Sequence, residues 1–326
     1  MASNKLKVML PHNMGSQGVD IIRAREDIET IIYHGGIKQA ELHPMLADVV
    51  GIALSATPYR QAEMDASPVM RVVTRIGVGF DAVEIPALTA RKVPLLTAGT
   101  ANSTSVAEQG FHLMISLAKK HAQQDRLVRN GGWHDRHQAP PMEISGKNVL
   151  IVGFGRIGTR QAKRCNGFDM NVSVYDPFVD AAVIKAAGYT PVTDLDAALP
   201  SMDFVTLHCP KKPDTVNMFN AARFAKMKKG AFIVNTARGG IINEPDLYAA
   251  LKSGHIAGAG LDVFEQEPTP LDNPLLTLDN VISSPHMAGV TVEAIQAMAV
   301  ATANNILSVL DGHPNRENTI NPEVYD

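Results

Sequence analysis

"KNVLIVGFGRIGTR" (147–160) decides the fold. A run of Val, Leu and Ile reads as a buried strand. Gly153-x-Gly155-x-x-Gly158 follows it, and from Arg156 onward the pattern turns helical. Each glycine has a separate task in such a βα turn. The first permits the tight turn, the second lets backbone approach a pyrophosphate, and the third lets helix and strand pack closely. Phosphates would then meet the helix N-terminus, where free N–H groups and the macrodipole favour anions. The next strand ends "VYDP", with Asp176 18 positions beyond Gly158 (176 − 158). That spacing suits the acid that bonds the ribose hydroxyls of a dinucleotide, and its charge would repel a 2′-phosphate. NAD is therefore expected, ahead of NADP.

Outward from this turn, short apolar runs alternate with helical patterns. "KVML", "VGIALS", "RVVTRIG" and "VPLLTAG" read as strands on the N-terminal side, with "IKQAELHPMLADV" and "AVEIPALTARK" as helices between them. On the C-terminal side "KNVLIVGFG", "MNVSVYD", "MDFVTLH", "GAFIVNTA", "IAGAGLDVF" and "NVISSPH" make a second series. That rhythm implies two parallel α/β sheets. Ser105 and Glu108 are spaced as a capping box for a helix through 103–120. Residues 129–146, rich in Gly, Pro and His, read as an arm. The stretch 291–312 reads as one helix capped by Thr291 and ended at Gly312.

Composition sets the bounds. The 326 residues suffice for two domains, with 45% apolar and 19% charged residues and a net charge of −3. No nucleic-acid footprint, membrane span or leader peptide is expected from this balance. The two cysteines, Cys165 and Cys209, imply thiols in a reducing, cytoplasmic setting, and no Cys/His cluster has metal-ligand spacing.

Three further segments share one layout. Arg238 follows the strand in "VNTARGGIINE" (234–244), Glu267 follows "GLDVFEQEP" (260–268), and His286 closes "NVISSPH". All three belong beyond strand C-termini, the edge at which open α/β sheets bind ligands. Reduction of a 2-keto acid by a nicotinamide needs these groups. An imidazole supplies the proton to the carbonyl oxygen. A carboxylate orients the imidazole. A guanidinium holds the substrate carboxylate and polarises the carbonyl.

Together with "RIGVGFDAVE" (75–84), "NSTSVAEQG" (102–110), "LHCPKKPDT" (207–215) and "SPHMAG" (284–289), these segments resemble the D-isomer-specific 2-hydroxyacid dehydrogenases along nearly the whole chain. The resemblance implies two doubly wound domains: a flavodoxin-like substrate domain (1–100, with 290–326 returning to it) and a Rossmann cofactor domain (101–289). It implies a cleft between them and a homodimer through the cofactor domain, with the arm around Trp133 as a contact. It assigns catalysis to Arg238, Glu267 and His286. Cofactor contacts fall to Val106, Gly153, Gly155, Arg156, Ile157, Gly158, Asp176, Pro177, His208, Cys209, Pro210, Thr215, Thr236, Ala237 and Asp262, the last toward the carboxamide. Val78 and Gly79 would bind the substrate carboxylate. Leu54 stands where phosphoglycerate dehydrogenases usually carry an arginine, which favours a smaller or less charged substrate tail unless Arg60 or Arg75 compensates, with Leu54 lining the pocket. The alternatives are a phosphonate- or formate-type dehydrogenase on the same scaffold, against whose formate form Glu267 argues, and a non-catalytic NAD-sensing corepressor.

Overall fold

The computed structural model describes residues 5–138 and 140–326. The chain divides into two compact units, one comprising the residues up to Asn102 together with Gly289–Asp326, the other Ser103–Ala288.

The first unit is built on five strands: β1 (Leu6–Pro11), β2 (Ile28–Tyr33), β3 (Val49–Leu54), β4 (Val72–Arg75) and β5 (Leu95–Leu96). They pair in parallel in the order β2-β1-β3-β4-β5. This is the doubly wound flavodoxin-like order. The strand β2, "IETIIY", was absent from the expected set. Its edge position leaves Glu29 and Ile32 exposed, and Glu29 and Thr30 interrupt the continuous apolar run that its neighbours have. The helix Val292–Leu310 buries Ala299, Ala303 and Ile306 against Val8, Leu10 and Val72. Thr291 caps it, its hydroxyl accepting from the Ala294 N–H at 3.1 Å. Helix Ser16–Arg23 crosses it closely: a Cβ at Gly18 would lie 2.3 Å from the Ala299 carbonyl oxygen. Beyond the long helix the chain returns to the sheet edge. Ile320 N–H donates to Leu95 O at 2.8 Å, and the buried Asn321 amide bonds Leu95 N and Val93 O.

The second unit has seven strands: β6 (Asn148–Val152), β7 (Asn171–Tyr175), β8 (Thr190–Val192), β9 (Phe204–Leu207), β10 (Ala231–Asn235), β11 (Ile256–Leu261) and β12 (Val281–Ser283). Their order is β12-β11-β10-β9-β6-β7-β8, all parallel. The order reverses between β6 and β9, which creates the switch point where such sheets take ligands. The short edge strand β8 was not expected, since three residues containing Pro191 carry no strand signal. Helix Ser103–Ala118 packs Leu113, Met114 and Leu117 onto one sheet face. It begins two residues before Ser105, so Ser105 and Glu108 form no capping box. Glu108 instead accepts from Arg164 at 2.8 Å. Within the expected arm, Ala139 lies outside the described residues. Trp133 is 60% exposed, with the Arg136 guanidinium 5.6 Å from its ring centre.

Candidate active site

One row of Cα partners runs across the sheet of the second unit: Tyr175, Val152, Leu207, Asn235, Leu261 and Ser283. Each is the last residue of its strand. The chain leaves the sheet from this one row, so Gly153, Asp176, His208, Thr236, Asp262 and Ser284 all begin their loops along a single edge. Side chains scattered over more than 130 positions are thereby collected on one side of the unit.

At the switch point, Gly153 adopts φ +96°, and a Cβ there would lie 2.8 Å from Cys209 N. A Cβ at Gly158 would lie 1.9 Å from Gly153 O, so only glycine allows helix Gly158–Gly167 to start this close to β6. A Cβ at Gly155 would meet nothing within 4 Å. The N–H groups of Gly155 and Ile157 have no acceptor among the described residues. Open space beside free donors at a helix N-terminus is the form a pyrophosphate site takes. Asp176 accepts from Phe154 N at 2.8 Å on one oxygen and from Phe178 N at 2.9 Å on the other. Each oxygen keeps one acceptor site, enough for a pair of ribose hydroxyls. Arg156 is exposed, and Pro177 follows Asp176 directly.

On the far side of the switch point, His208 follows β9. Its Nε2 lies 2.9 Å from Thr206 Oγ1, while Nδ1 is buried without a partner. Burial pushes this imidazole down to about 3, so it is neutral. Burial likewise raises the Cys209 thiol to about 11 and the Cys165 thiol to about 12, which rules out either as a thiolate nucleophile near neutral pH. Thr215, expected beside the cofactor, spends its hydroxyl inside the loop: it donates to Pro210 O at 2.8 Å and accepts from Lys212 N at 2.7 Å. Its part is to shape the turn that carries Pro210. Val106 and Ala237 are nearly buried, and Thr236 keeps a buried hydroxyl without a partner.

Arg238 lies on a turn shaped by Asn235. The Asn235 side chain accepts from Ala237 N at 3.0 Å and donates to Arg238 O at 2.9 Å. An Asx turn of this kind was legible in the asparagine ending the strand. The next residue, Gly239, packs so closely on the following loop that a Cβ would lie 1.6 Å from Phe264 O. Phe264 N in turn donates to Glu267 Oε1 at 3.0 Å. The turn that carries the cation therefore abuts the loop that carries the acid. Glu244 and Glu265 brace this junction, each carboxylate accepting the other's backbone N–H.

His286 Nδ1 lies 2.7 Å from Glu267 Oε2, with side chains 51% and 37% exposed. A carboxylate at Nδ1 fixes the proton there, and Nε2 is the nitrogen left to act, with no partner among the described residues. The His286 backbone sits at φ +54°, a left-handed conformation costing about 1–2 kcal/mol for a residue with a Cβ. Asp262 holds it there. Its buried carboxylate accepts from the Ser284 hydroxyl, from Met287 N at 2.9 Å and from Ala288 N at 2.9 Å, while its carbonyl accepts from His286 N at 2.8 Å. Gln109 Nε2 completes the chain by donating to Ser284 Oγ at 3.1 Å. Sequence reasoning gave Asp262 to the carboxamide. The structure commits three of its four acceptor sites to the histidine loop and leaves one for a ligand.

In the first unit, the turn after β4 contains Gly77 at φ +116°, and Arg75 Nε donates to Gly79 O at 2.9 Å. The N–H groups of Val78 and Gly79 have no acceptor among the described residues. Such a run of free donors is an anion-binding concavity. Leu54 contradicts its assignment to the substrate pocket. It is fully buried in the core with Met9 and Ile52, and the next residue, Ser55, is the first to leave that strand. No group of three or more His, Cys, Asp or Glu among the described residues could hold a metal ion. No described helix is long and apolar enough to cross a membrane.

Residues 111–288 match the family model described as D-isomer specific 2-hydroxyacid dehydrogenase, NAD binding domain. A D-3-phosphoglycerate dehydrogenase of Archaeoglobus fulgidus is 35% identical over 97% of the chain. The chain spans only 59% of that relative's length. A glyoxylate reductase of Thermofilum pendens is 39% identical over 76% of the chain and 74% of its own. Among solved structures, an NAD-dependent formate dehydrogenase from Staphylococcus aureus in complex with NAD superposes with a TM-score of 0.83 at 25% identity, covering 97% of this chain and 99% of that one.

Proposed function

The chain belongs to the D-isomer specific 2-hydroxyacid dehydrogenase family, and from that premise we propose that it interconverts a small 2-keto acid and its D-2-hydroxy acid with NAD. The observation that supports this most directly is the His286–Glu267 pair, standing with Arg238 on loops that leave one aligned row of strand ends.

The fingerprint turn, Asp176 and the loop after β9 are the residues that fit the dinucleotide. NADH supplies the hydride when bound. Arg238 binds the substrate carboxylate and polarises the carbonyl, as a rigid bidentate donor that keeps its charge. His286 delivers a proton from Nε2 to the carbonyl oxygen as the carbinol forms, and takes it back in oxidation. Glu267 stabilises the charged ring at Nδ1. The N–H groups of Val78 and Gly79, which have no acceptor among the described residues, are proposed to bind a substrate carboxylate. Glu267 is also the feature that speaks against formate as substrate, as it does in the sequence.

The reading extends to a homodimer built through the second unit. Helix His121–Arg129 buries none of its residues, and Val128 and Trp133 are each 60% exposed, which supports a contact there. Both cysteines are free thiols, in keeping with the cytoplasm.

The test is NADH oxidation at 340 nm with a panel of 2-keto acids, with NADPH and phosphite as contrasts. His286→Ala should slow reduction by roughly two to four decades. Arg238→Ala should raise KM for the keto acid and lower turnover while NADH affinity stays near wild type. Near-normal rates in His286→Ala would mean another proton donor. Tight NADH binding without turnover of any substrate would favour a sensor over an enzyme.

A further inference from the structure

The first unit carries an arrangement that the reading above leaves unused. His12 follows β1 and His34 follows β2. Their rings are stacked, with centroids 4.3 Å apart and planes within 8°. Both residues are exposed. Gly35 N donates to His12 Nδ1 at 3.2 Å, and Gly36 N donates to His34 Nδ1 at 3.2 Å. A ring nitrogen that accepts carries no hydrogen, so each imidazole keeps its hydrogen on Nε2. Neither Nε2 has a partner among the described residues. Two N–H donors are thus available on stacked rings.

The loops that carry them are fastened together. Asn13 Nδ2 donates to Ser55 Oγ at 3.1 Å, Thr57 Oγ1 donates to Gly35 O at 3.0 Å, and Tyr33 OH donates to Ala53 O at 2.8 Å. Side chains that tie these loops are uncharged hydrogen-bonding groups. The cation nearest in sequence to the anion-binding turn, Arg75, is engaged with Gly79 O.

Strand order sets the distances. The turn Val78–Gly79 follows β4, and β1 lies two strands away across β3. At about 4.8 Å per strand, the ends of β1 and β4 are about 10 Å apart and those of β2 and β4 about 14 Å, while stacking brings the His34 ring within 4.3 Å of the His12 ring. An extended chain gains roughly 1.2 Å per bond, by the geometry of extended backbone. A six-carbon acid held by its carboxylate therefore reaches about 7 Å, and a hydrogen bond at about 2.8 Å closes the remainder. A two-carbon acid cannot. A phosphate would call for guanidinium or ammonium donors, whereas neutral N–H groups suit hydroxyl oxygens.

We propose that His12 and His34 form a subsite for the hydroxylated tail of the substrate, which makes the substrate class a 2-keto acid of five or six carbons bearing hydroxyl groups. This rests on the proposed activity and on the carboxylate assignment of the Val78–Gly79 turn. The experiment measures kcat/KM with NADH for glyoxylate, 3-phosphohydroxypyruvate and 2-keto-D-gluconate. Wild type should favour 2-keto-D-gluconate over glyoxylate by at least about tenfold. His12→Ala and His34→Ala should each cut that ratio about tenfold, the scale of one lost hydrogen bond. His12→Gln and His34→Gln, which keep an N–H donor, should recover part of it. A ratio unchanged in the alanine variants overturns the subsite while leaving the dehydrogenase reading intact. A preference for 3-phosphohydroxypyruvate that the same variants reduce would mean an anionic tail and overturns the substrate class. Failure to reduce any keto acid overturns the activity itself, and the subsite with it.

Discussion

Replacing Asp262 by Asn tests how the histidine loop is held. The two side chains have nearly equal volume, so no cavity complicates the result. The carboxylate is 1% exposed and accepts from Ser284 Oγ and Met287 N on one oxygen and from Ala288 N on the other. An amide retains only one oxygen. If that oxygen faces Ser284 and Met287, the new NH2 group confronts the Ala288 N–H. One charge-assisted hydrogen bond is lost, about 1.5–3 kcal/mol, and a buried donor is left without an acceptor, about 1–3 kcal/mol. The remaining two bonds weaken as the acceptor loses its charge. Relief of the desolvated carboxylate offsets part of this. The net expectation is about 3 kcal/mol of lost stability. The left-handed backbone of His286 costs about 1–2 kcal/mol by itself and would relax once its anchor slackens. A shift of about 1 Å at a proton donor costs roughly a hundredfold in rate. Urea unfolding and NADH oxidation on the same preparation read both effects. A midpoint equal to wild type together with kcat within threefold would refute this account of Asp262.

Gly239→Ala places a Cβ 1.6 Å from Phe264 O, a collision between two backbones, and should destabilise the second unit by more than about 3 kcal/mol or prevent its folding; a calorimetric melt near that of wild type would contradict the packing. Asp176→Ala removes the acceptor of Phe154 N and Phe178 N as well as a negative charge, so KM for NADH should rise while the NADPH-to-NADH ratio of kcat/KM increases; an unchanged ratio places cofactor choice elsewhere. His208 is held near 3 against an unfolded value of 6.5, so the unfolded chain takes up the proton first. Its contribution is complete above pH 6.5 and fades as pH falls toward 3. At pH 5 the loss is about 1–2 kcal/mol, allowing for its partial exposure, and denaturant melts at pH 7.5 and 5.0 should show a smaller acid penalty in His208→Asn.

Much of this site could be read before any coordinates. The fingerprint glycines are dictated by local sterics, and Asp176, Arg238 and His286 each follow a strand that its own apolar run announces. What was hidden depends on residues meeting across the sheet. The three bonds that the Asp262 carboxylate accepts from residues 284–288 exist only because β11 and β12 are neighbours. Leu54 was misjudged because a strand's last residue and its first loop residue look alike in sequence, yet one faces the core and the other leaves it. β2 and β8 were missed as edge strands, whose partial exposure or shortness erases the apolar signal. Thr215 was expected at the ligand, but a hydroxyl beside Pro210 and Lys212 finds its partners in its own loop.

The return of the chain to its first unit has a consequence for its birth on the ribosome. Strand β5 stands at the rim of its sheet, and the segment that covers it, from Thr319 to Asn321, is made only after the whole of Ser103–Ala288. The helix that buries one face of β1 and β4 is also translated after the whole of Ser103–Ala288. The inserted unit can thus mature first, while the earlier-made strands wait with an uncovered face and an open rim. During that interval the nascent N-terminal strands are the part most in need of chaperoning.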